Sequence, residues 1–506
     1  MGSSNSERLS WLLVAWFLVF FMECMSEAHP WTRPRLGVRA KSSAARPRPM
    51  AEGDFVTYYY TQTLDHFSYR PESYTTFQQR YVVNSRYWGG ANTSSPIFVY
   101  TGDEEGLIDD LDAAGLMVDF APSFKALLVY IEHRYYGESL PFGSREEEYR
   151  NASTLGYFSS AQALADYAEL IRNLKTNLSA DDCPVIAIGG SYGGMLASWF
   201  RLKYPHIAIG ALAISAPILY FDDITPENGY YTVVTKDYKE MSESCYNTIR
   251  QLWFEIDQNA SQPNGLTALS NKFRTCSLLK NAQELKDYLE DMFVVSAQYD
   301  NPPKYPVSQI CYAIDGASQE SDVLDKIFAA VVATKGNCSC YSTNQSAFSS
   351  ETLEGWRWQT CSEIVMPIGR SSNDTMFQGS PFNLTAFSDD CKRTFGVIPR
   401  PHWITTEFGG HDIKSVLKRF ASNIIFSNGL RDPYSSGGVL QNISDSIVAI
   451  YTTQGAHCLD ILPALPNDPD WLVSQRNMEK KIMEGWIADY NANFSRVAVN
   501  KPKNGI

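Results

Sequence analysis

The stretch Ile186-Ala187-Ile188-Gly189-Gly190-Ser191-Tyr192-Gly193-Gly194 constrains the fold more than any other part of this chain. An apolar run leads straight into a G-x-S-x-G pentapeptide, and a helical pattern follows it to about Pro205. The chain must therefore turn from a buried strand into a helix at Ser191. So sharp a turn strains the backbone of its central residue, and small residues two before and two after prevent clashes. The start of the new helix brings unpaired N–H groups and positive potential to the serine hydroxyl, a setting suited to an oxyanion. The pentapeptide alone recurs by chance; its place between strand and helix marks Ser191 as a nucleophile.

Other segments supply the rest of such a sheet. The runs at 97–100, 126–131 and 184–188 have the unbroken apolar character of buried parallel strands. Between the last two, residues 160–175 put Leu164, Tyr167, Ala168, Ile171 and Leu174 on one helical face. A further run, 210–215, follows the Ser191 helix. The pattern resumes with strands at 423–427 and 446–451 and a closing helix over 470–490. From 219 to 400 helical pattern and polar loops prevail instead. The expected architecture is α/β: one α/β-hydrolase domain formed by 51–218 and 401–500, interrupted by an inserted, disulfide-stapled, mostly helical cap domain over 219–400. The 506 residues, 44% of them hydrophobic, are enough for a core of that size. Two independent domains in series are the weaker alternative, because the front half lacks the acid and base its serine needs.

A serine hydroxyl attacks only when a histidine takes its proton and an acid fixes that histidine's tautomer. In an α/β-hydrolase these follow in the order Ser, acid, His. Beyond the loop histidine His206, only His402, His411 and His457 come after Ser191. His457 lies in the small-residue loop Gln454-Gly455-Ala456-His457-Cys458, after the expected 446–451 strand. Asp432 lies just past the 423–427 strand, 25 residues earlier, in Asn428-Gly429-Leu430-Arg431-Asp432-Pro433. A turn-forming Asp before Pro is the plain alternative for Asp432. Asp460 competes as the acid but follows the histidine. For the oxyanion, the Tyr192 backbone N–H is one expected donor, and the second should come from the loop Thr101-Gly102-Asp103-Glu104, with Gly102 the candidate. The spacing Cys338-Ser339-Cys340 is too tight for a zinc knuckle. The chemistry needs no metal and no organic cofactor.

The N-terminus reads as a signal peptide over 1–28: Arg8, the apolar run 11–22, then Ser26-Glu27-Ala28 ahead of the cut. Twelve apolar residues are too few to cross a hydrocarbon layer roughly 30 Å thick, and no later segment has a long enough apolar run, so no membrane span is expected in the mature chain. Residues 29–50 carry six Arg or Lys, no acidic residue and four prolines, which suits an unstructured leader or propeptide as well as a plain exposed tail. Ten Asn-x-Ser/Thr sequons, at Asn92, Asn151, Asn177, Asn259, Asn337, Asn344, Asn373, Asn383, Asn442 and Asn493, point to a glycosylated protein of the secretory pathway. The expected destination is a vacuole or lysosome, or the extracellular space. Nine cysteines remain beyond Cys24, and seven fall between Cys245 and Cys391. The odd number leaves at least one free thiol, for which Cys183, at the start of a strand, is the best candidate. The net charge of −13 argues against a nucleic-acid partner.

Taken together, the motifs resemble the serine carboxypeptidase family that contains lysosomal Pro-Xaa carboxypeptidase and dipeptidyl peptidase II, with the first branch closer. The resemblance rests on Thr63-Leu64-Asp65-His66-Phe67, Phe77-Gln78-Gln79-Arg80-Tyr81, Tyr100-Thr101-Gly102, Glu132-His133-Arg134-Tyr135-Tyr136-Gly137-Glu138-Ser139, the Gly189–Gly194 elbow, Asn428-Gly429 with Asp432-Pro433, Gly437-Gly438 and Gly455-Ala456-His457. It implies a peptidase that cuts after proline, acting on short peptide substrates, with a helical cap closing over the site. It also implies a proline-side pocket of Met195, Met366 and Tyr434, the last where family members usually have Trp. A thioether and aromatic lining suits a compact pyrrolidine ring. The disulfides implied are Cys361–Cys391, Cys245–Cys311, and Cys276 with either Cys340 or Cys338. A homodimer is compatible with the resemblance.

The chain departs from the family pattern at three places: Cys458 follows the histidine where a second histidine is common, Ile461-Leu462 lacks the usual Arg, and Glu105 stands where glycine is usual. These bear on substrate preference rather than on the triad. Three rivals follow. A dipeptidyl peptidase would need an acid for a free α-amine, and Glu104 is the candidate. A non-peptide acyl esterase would use the same triad. A catalytically dead binding protein would show a broken triad, and none is broken here.

Overall fold

The computed structural model describes residues 54–343 and 351–499. The expected signal peptide, the leader and Asn344 lie outside them. Eight strands form one sheet: β1 (Val56–Thr63), β2 (Thr76–Asn84), β3 (Ile97–Thr101), β4 (Leu127–Ile131), β5 (Val185–Gly190), β6 (Ala208–Ile214), β7 (Ile424–Gly429) and β8 (Ile447–Thr452). Their order is β1-β2-β4-β3-β5-β6-β7-β8. β2 pairs antiparallel with both β1 and β4, and every pairing from β4 to β8 is parallel. This is the α/β-hydrolase arrangement. β3, β4 and β5 are buried at every position, which is why they read as continuous apolar runs.

Helices flank the sheet. Ser160–Asn177 starts at Ser159, whose side chain accepts from the Gln162 N–H, and Ser191–Lys203 follows β5 directly. The closing helix Asp470–Val499 brings Trp486 onto β6. A Cβ on Gly210 would sit 2.4 Å from that indole, so glycine is needed for the approach.

β1 and β2 were not among the expected strands. β1 is an edge strand exposed along most of its length. The pair also buries polar groups where a strand pattern calls for apolar ones: the Gln62 amide donates to Gln79 Oε1 at 2.8 Å and to the Asp166 carbonyl at 3.1 Å, and the Gln79 amide donates to the Glu132 carbonyl at 2.9 Å. Fully satisfied glutamines are tolerable inside but look like surface residues in the sequence.

By packing, the chain divides into two compact units. Among the described residues the larger comprises 54–230, 351–368 and 382–499, and the smaller comprises 231–343 with 369–381. The smaller unit is thus narrower than the 219–400 expected. The helices Glu351–Ser362 and Leu384–Phe395, joined by Cys361–Cys391, belong with the sheet. There Trp358 Nε1 donates to the Phe158 carbonyl at 3.2 Å and Arg145 pairs with Glu354 at 2.8 Å.

The smaller unit is helical, with Glu243–Ala260, Gly265–Lys272, Ala282–Gln298, Pro306–Asp315 and Val323–Lys335. Cys245–Cys311 and Cys276–Cys340 staple it. The partner of Cys276, open between two neighbours in the sequence, is Cys340. Within this unit the Tyr231 hydroxyl donates to Glu290 at 2.7 Å and Arg370 pairs with the same carboxylate. Burial nevertheless pushes Glu290 up to about 7. Cys183 and Cys458 are buried free thiols. No helix among the described residues is long and apolar enough to cross a membrane.

Candidate active site

The three residues expected to carry the chemistry sit at the carboxyl ends of parallel strands: Ser191 directly after β5, Asp432 after β7 and His457 after β8. The fold brings them together. His457 Nε2 lies 2.9 Å from Ser191 Oγ and His457 Nδ1 lies 2.7 Å from Asp432 Oδ2. All three are buried. Asp432 Oδ1 accepts the Tyr434 N–H at 2.9 Å, so each carboxylate oxygen has its own donor. With Nδ1–H donated to Asp432, Nε2 is left as the acceptor that faces the serine hydroxyl. Asp460 does not compete; its carboxylate accepts from Ser427 and Gln475 instead.

The elbow has the expected strain. Ser191 has φ of 57°, in the left-handed region. A Cβ on Gly189 would stand 2.2 Å from the Gly193 carbonyl oxygen, and one on Gly193 would stand 2.6 Å from the Thr101 carbonyl oxygen, so no larger residue fits either position. The Thr101 hydroxyl donates to the Gly193 carbonyl at 2.7 Å and ties the elbow to β3.

The expected oxyanion donors fare differently. Tyr192 is the second residue of the Ser191–Lys203 helix, so its N–H belongs to the first turn and has no intrahelical acceptor. The Gly102 N–H is donated to the Ile131 carbonyl at 3.1 Å. Gly102 is therefore corrected: its N–H continues the β3–β4 pairing, and its own Cβ position lies 2.4 Å from that same carbonyl oxygen. The loop continues with Asp103 and Glu104. Both are buried, and the Asp103 carboxylate accepts the Glu105 N–H at 3.1 Å, so the loop turns without a glycine at 105.

Tyr434, Met195 and Met366 are all buried. The Tyr434 ring lies 5.5 Å from the His457 ring and 5.0 Å from Tyr230. Met195 is one turn beyond Ser191 on the same helix. Met366 lies between Val365 and Pro367, which line a cleft of about 350 Å³ together with Asp222, Glu227 and His402. Cys458 packs in the main core with Leu459, Ile461 and Leu462, and its N–H is donated to Ser215 Oγ at 2.9 Å. Of the positions that depart from the family pattern, Cys458, Ile461 and Leu462 are thus core positions here, while Glu105 is half-buried.

One group around the site was missed. Behind the Ser191 helix, the Tyr192 hydroxyl lies 3.1 Å from His133 Nε2 and 2.8 Å from Gln359 Nε2, and Gln359 Oε1 accepts from the Tyr136 hydroxyl at 2.6 Å. Burial lowers His133 to about 4. The signal was the run Glu132–Ser139, which marks the family but names no role by itself. Much of that run is scaffold: Arg134 pairs with Asp166 at 2.6 Å and Glu132 pairs with Arg80. Among the described residues no group of His, Cys, Asp and Glu is placed to hold a metal ion. Eight of the sequon asparagines are exposed (Asn92, Asn151, Asn177, Asn337, Asn373, Asn383, Asn442 and Asn493), and Asn259 is half-buried.

Comparison with known proteins agrees with this geometry. Residues 62–479 match the family described as Serine carboxypeptidase S28. The chain belongs to that family. It is 39% identical over 486 residues to the lysosomal Pro-X carboxypeptidase of Homo sapiens, spanning 91% of this chain and 95% of that one. The Mus musculus protein of the same name is 39% identical over 475 residues, covering 91% and 94%. The thymus-specific serine protease of Mus musculus is more distant, 27% identical over 85% of this chain and 87% of that one. As a member of the S28 family, the chain is a serine-type peptidase of the α/β-hydrolase fold.

Proposed function

We propose that this protein removes the C-terminal residue from short peptides whose penultimate residue is proline. The observation that carries the reading is the buried, unbroken hydrogen-bonded path from Ser191 through His457 to Asp432, in a chain 39% identical along most of its length to Pro-X carboxypeptidases. In this reading His457 Nε2 takes the Ser191 proton as Oγ attacks the prolyl carbonyl. The charged imidazolium is held by Asp432, and the Tyr192 N–H faces the developing oxyanion. His457 then hands the proton to the leaving amine, and water releases the prolyl acyl group by the same steps in reverse. Met195, Met366 and Tyr434 form the proline-side pocket.

The working compartment is an acidic one reached by the secretory route, with glycans on the exposed sequons. Two buried carboxyls support an acidic setting: Glu290, held up to about 7, and Glu479, pushed well above the usual carboxylate range by burial and by Asp460. Both favour the folded state most when protonated.

Matched peptides test the end that is cut. A peptide with penultimate proline is offered with a free C-terminus, as its C-terminal amide, and with its N-terminus acetylated. Cleavage that survives acetylation but not amidation is expected. Cleavage of an Xaa-Pro amide that needs a free N-terminus would instead assign a dipeptidyl peptidase, with Glu104 as the carboxylate meeting the amine. Cleavage of simple esters alone would leave only an esterase.

A further inference from the structure

We propose that the Tyr192 phenol is a positioning group for the oxyanion donor: held by His133 and Gln359, it fixes the first turn of the nucleophile helix so that the Tyr192 N–H faces the carbonyl oxygen under attack. The inference rests on the assignment of Ser191 as nucleophile.

The hydrogen bonds behind Tyr192 have only one consistent direction. His133 Nδ1 lies 2.7 Å from the Arg134 carbonyl, which can only accept, so Nδ1 carries the proton and Nε2 is an acceptor. The Tyr192 hydroxyl therefore donates to Nε2 at 3.1 Å. Its oxygen accepts from the Gln359 amide at 2.8 Å, and the Gln359 carbonyl accepts from the Tyr136 hydroxyl at 2.6 Å. Reversing any one link sets two donors or two acceptors against each other in a dry interior, where an unmet polar group is costly.

Tyr192, His133, Tyr136 and Gln359 are all fully buried. The Tyr192 ring is walled by His133 at 5.5 Å and by Trp356 at 5.7 Å. On the far side a Cβ at Gly355 would come within 2.5 Å of the Tyr136 ring, so the helix carrying Gln359 is seated as closely as glycine allows. A phenylalanine at 192 would fill the same space. What the hydroxyl adds is a fixed orientation for the residue whose backbone points at the reacting atoms. Because burial keeps His133 neutral down to about 4, the acceptor persists in an acidic compartment.

Tyr192→Phe and Gln359→Leu, singly and together in the full chain, test this. Four quantities are read: kcat and KM on a proline peptide, the rate at which a fluorophosphonate labels Ser191, and the fraction of chains that label. The phosphoryl oxygen of the probe uses the same donor as the substrate oxyanion. Because complete loss of one such donor costs on the order of 10² to 10³ in kcat, a donor kept but misaimed should lose about tenfold. KM should stay within about twofold, with the labelling rate falling in parallel while every chain still labels. The double variant should be little worse than either single one, since both break one chain of hydrogen bonds.

A Tyr192→Phe protein with unchanged kcat per labelled site would overturn the proposal. So would a loss confined to the labelled fraction or to KM, which would mean a packing role. Failure of the unmutated protein to label at Ser191 would overturn the nucleophile assignment and this inference with it. Labelling without peptide cleavage would sink the proline specificity alone, and the labelling rates would still decide the role of Tyr192.

Discussion

Replacing Asp432 by Asn should nearly abolish turnover while leaving the fold in place, for a reason that can be followed atom by atom. Asp432 Oδ1 accepts the Tyr434 N–H at 2.9 Å and Oδ2 accepts His457 Nδ1–H at 2.7 Å. Asparagine has a single oxygen. If it keeps the bond to Tyr434, its amide nitrogen faces His457 Nδ1 and donates to it. The ring proton then moves to Nε2, which meets Ser191 Oγ as an N–H and has no lone pair to take the serine proton. If the amide flips, two donors oppose each other at Tyr434 in a site closed to water. Loss of the working tautomer in a triad of this kind costs on the order of 10⁴ in kcat, about 5.4 kcal/mol of transition-state stabilisation. The assay is C-terminal residue release near the pH optimum, with a melting curve to verify folding. An Asp432→Asn protein that melts normally and keeps more than about a tenth of the unmutated kcat would refute the assigned tautomer and the role of Asp432.

Three further outcomes are expected. Glu479 and Asp460 meet at the Ser427 hydroxyl, at 2.7 and 2.5 Å, and burial with the Asp460 charge raises Glu479. A raised carboxyl stabilises the fold fully below its unfolded pKa of about 4.3 and loses that contribution as pH climbs towards the folded value. Thermal melts of Glu479→Gln should therefore show a higher Tm than the unmutated protein at neutral pH and little change under acidic conditions; equal shifts at both would count against a raised Glu479 carboxyl. Tyr434→Leu removes an aromatic face beside His457 and Tyr230. At about 0.5–1.5 kcal/mol for such a contact, KM for a proline peptide should rise roughly two- to tenfold, and an unchanged KM would place the proline elsewhere. Replacing both Cys361 and Cys391 by Ser opens a closure spanning 30 residues. The expected loss is roughly 3–4 kcal/mol in urea unfolding, and no loss would mean that the two helices are held by packing alone.

What the sequence revealed follows physical lines. Parallel strands covered on both faces must be apolar throughout, so β3 to β7 were legible as runs, within a few residues of their ends, and the partly exposed edge strand β8 was legible from its apolar composition. The elbow was legible because the contact that requires Gly189 is local, with Gly193 four residues on, although Gly193 itself answers to Thr101. The antiparallel β1 and β2 were not, since an exposed edge strand and buried, satisfied glutamines carry no alternating signature. Gly102 was misassigned because its N–H finds its acceptor in β4, some thirty positions away, and nothing local announces that partner. The helices Glu351–Ser362 and Leu384–Phe395 look like the rest of the insertion in composition; only their contacts, such as Trp358 with Phe158, show which unit they serve. His133 and Gln359 lie far from Tyr192 in sequence and bear on it only through the fold.

The account comes down to one reaction at one serine, and the most direct test is mass spectrometry of a peptide ending in Pro-Phe, incubated in mildly acidic buffer with the unmutated protein and with Ser191→Ala. Loss of phenylalanine alone, leaving a peptide that ends in proline, and only with the intact serine, is the predicted result. Equal cleavage by both proteins, or release of any fragment other than the terminal residue, would contradict it.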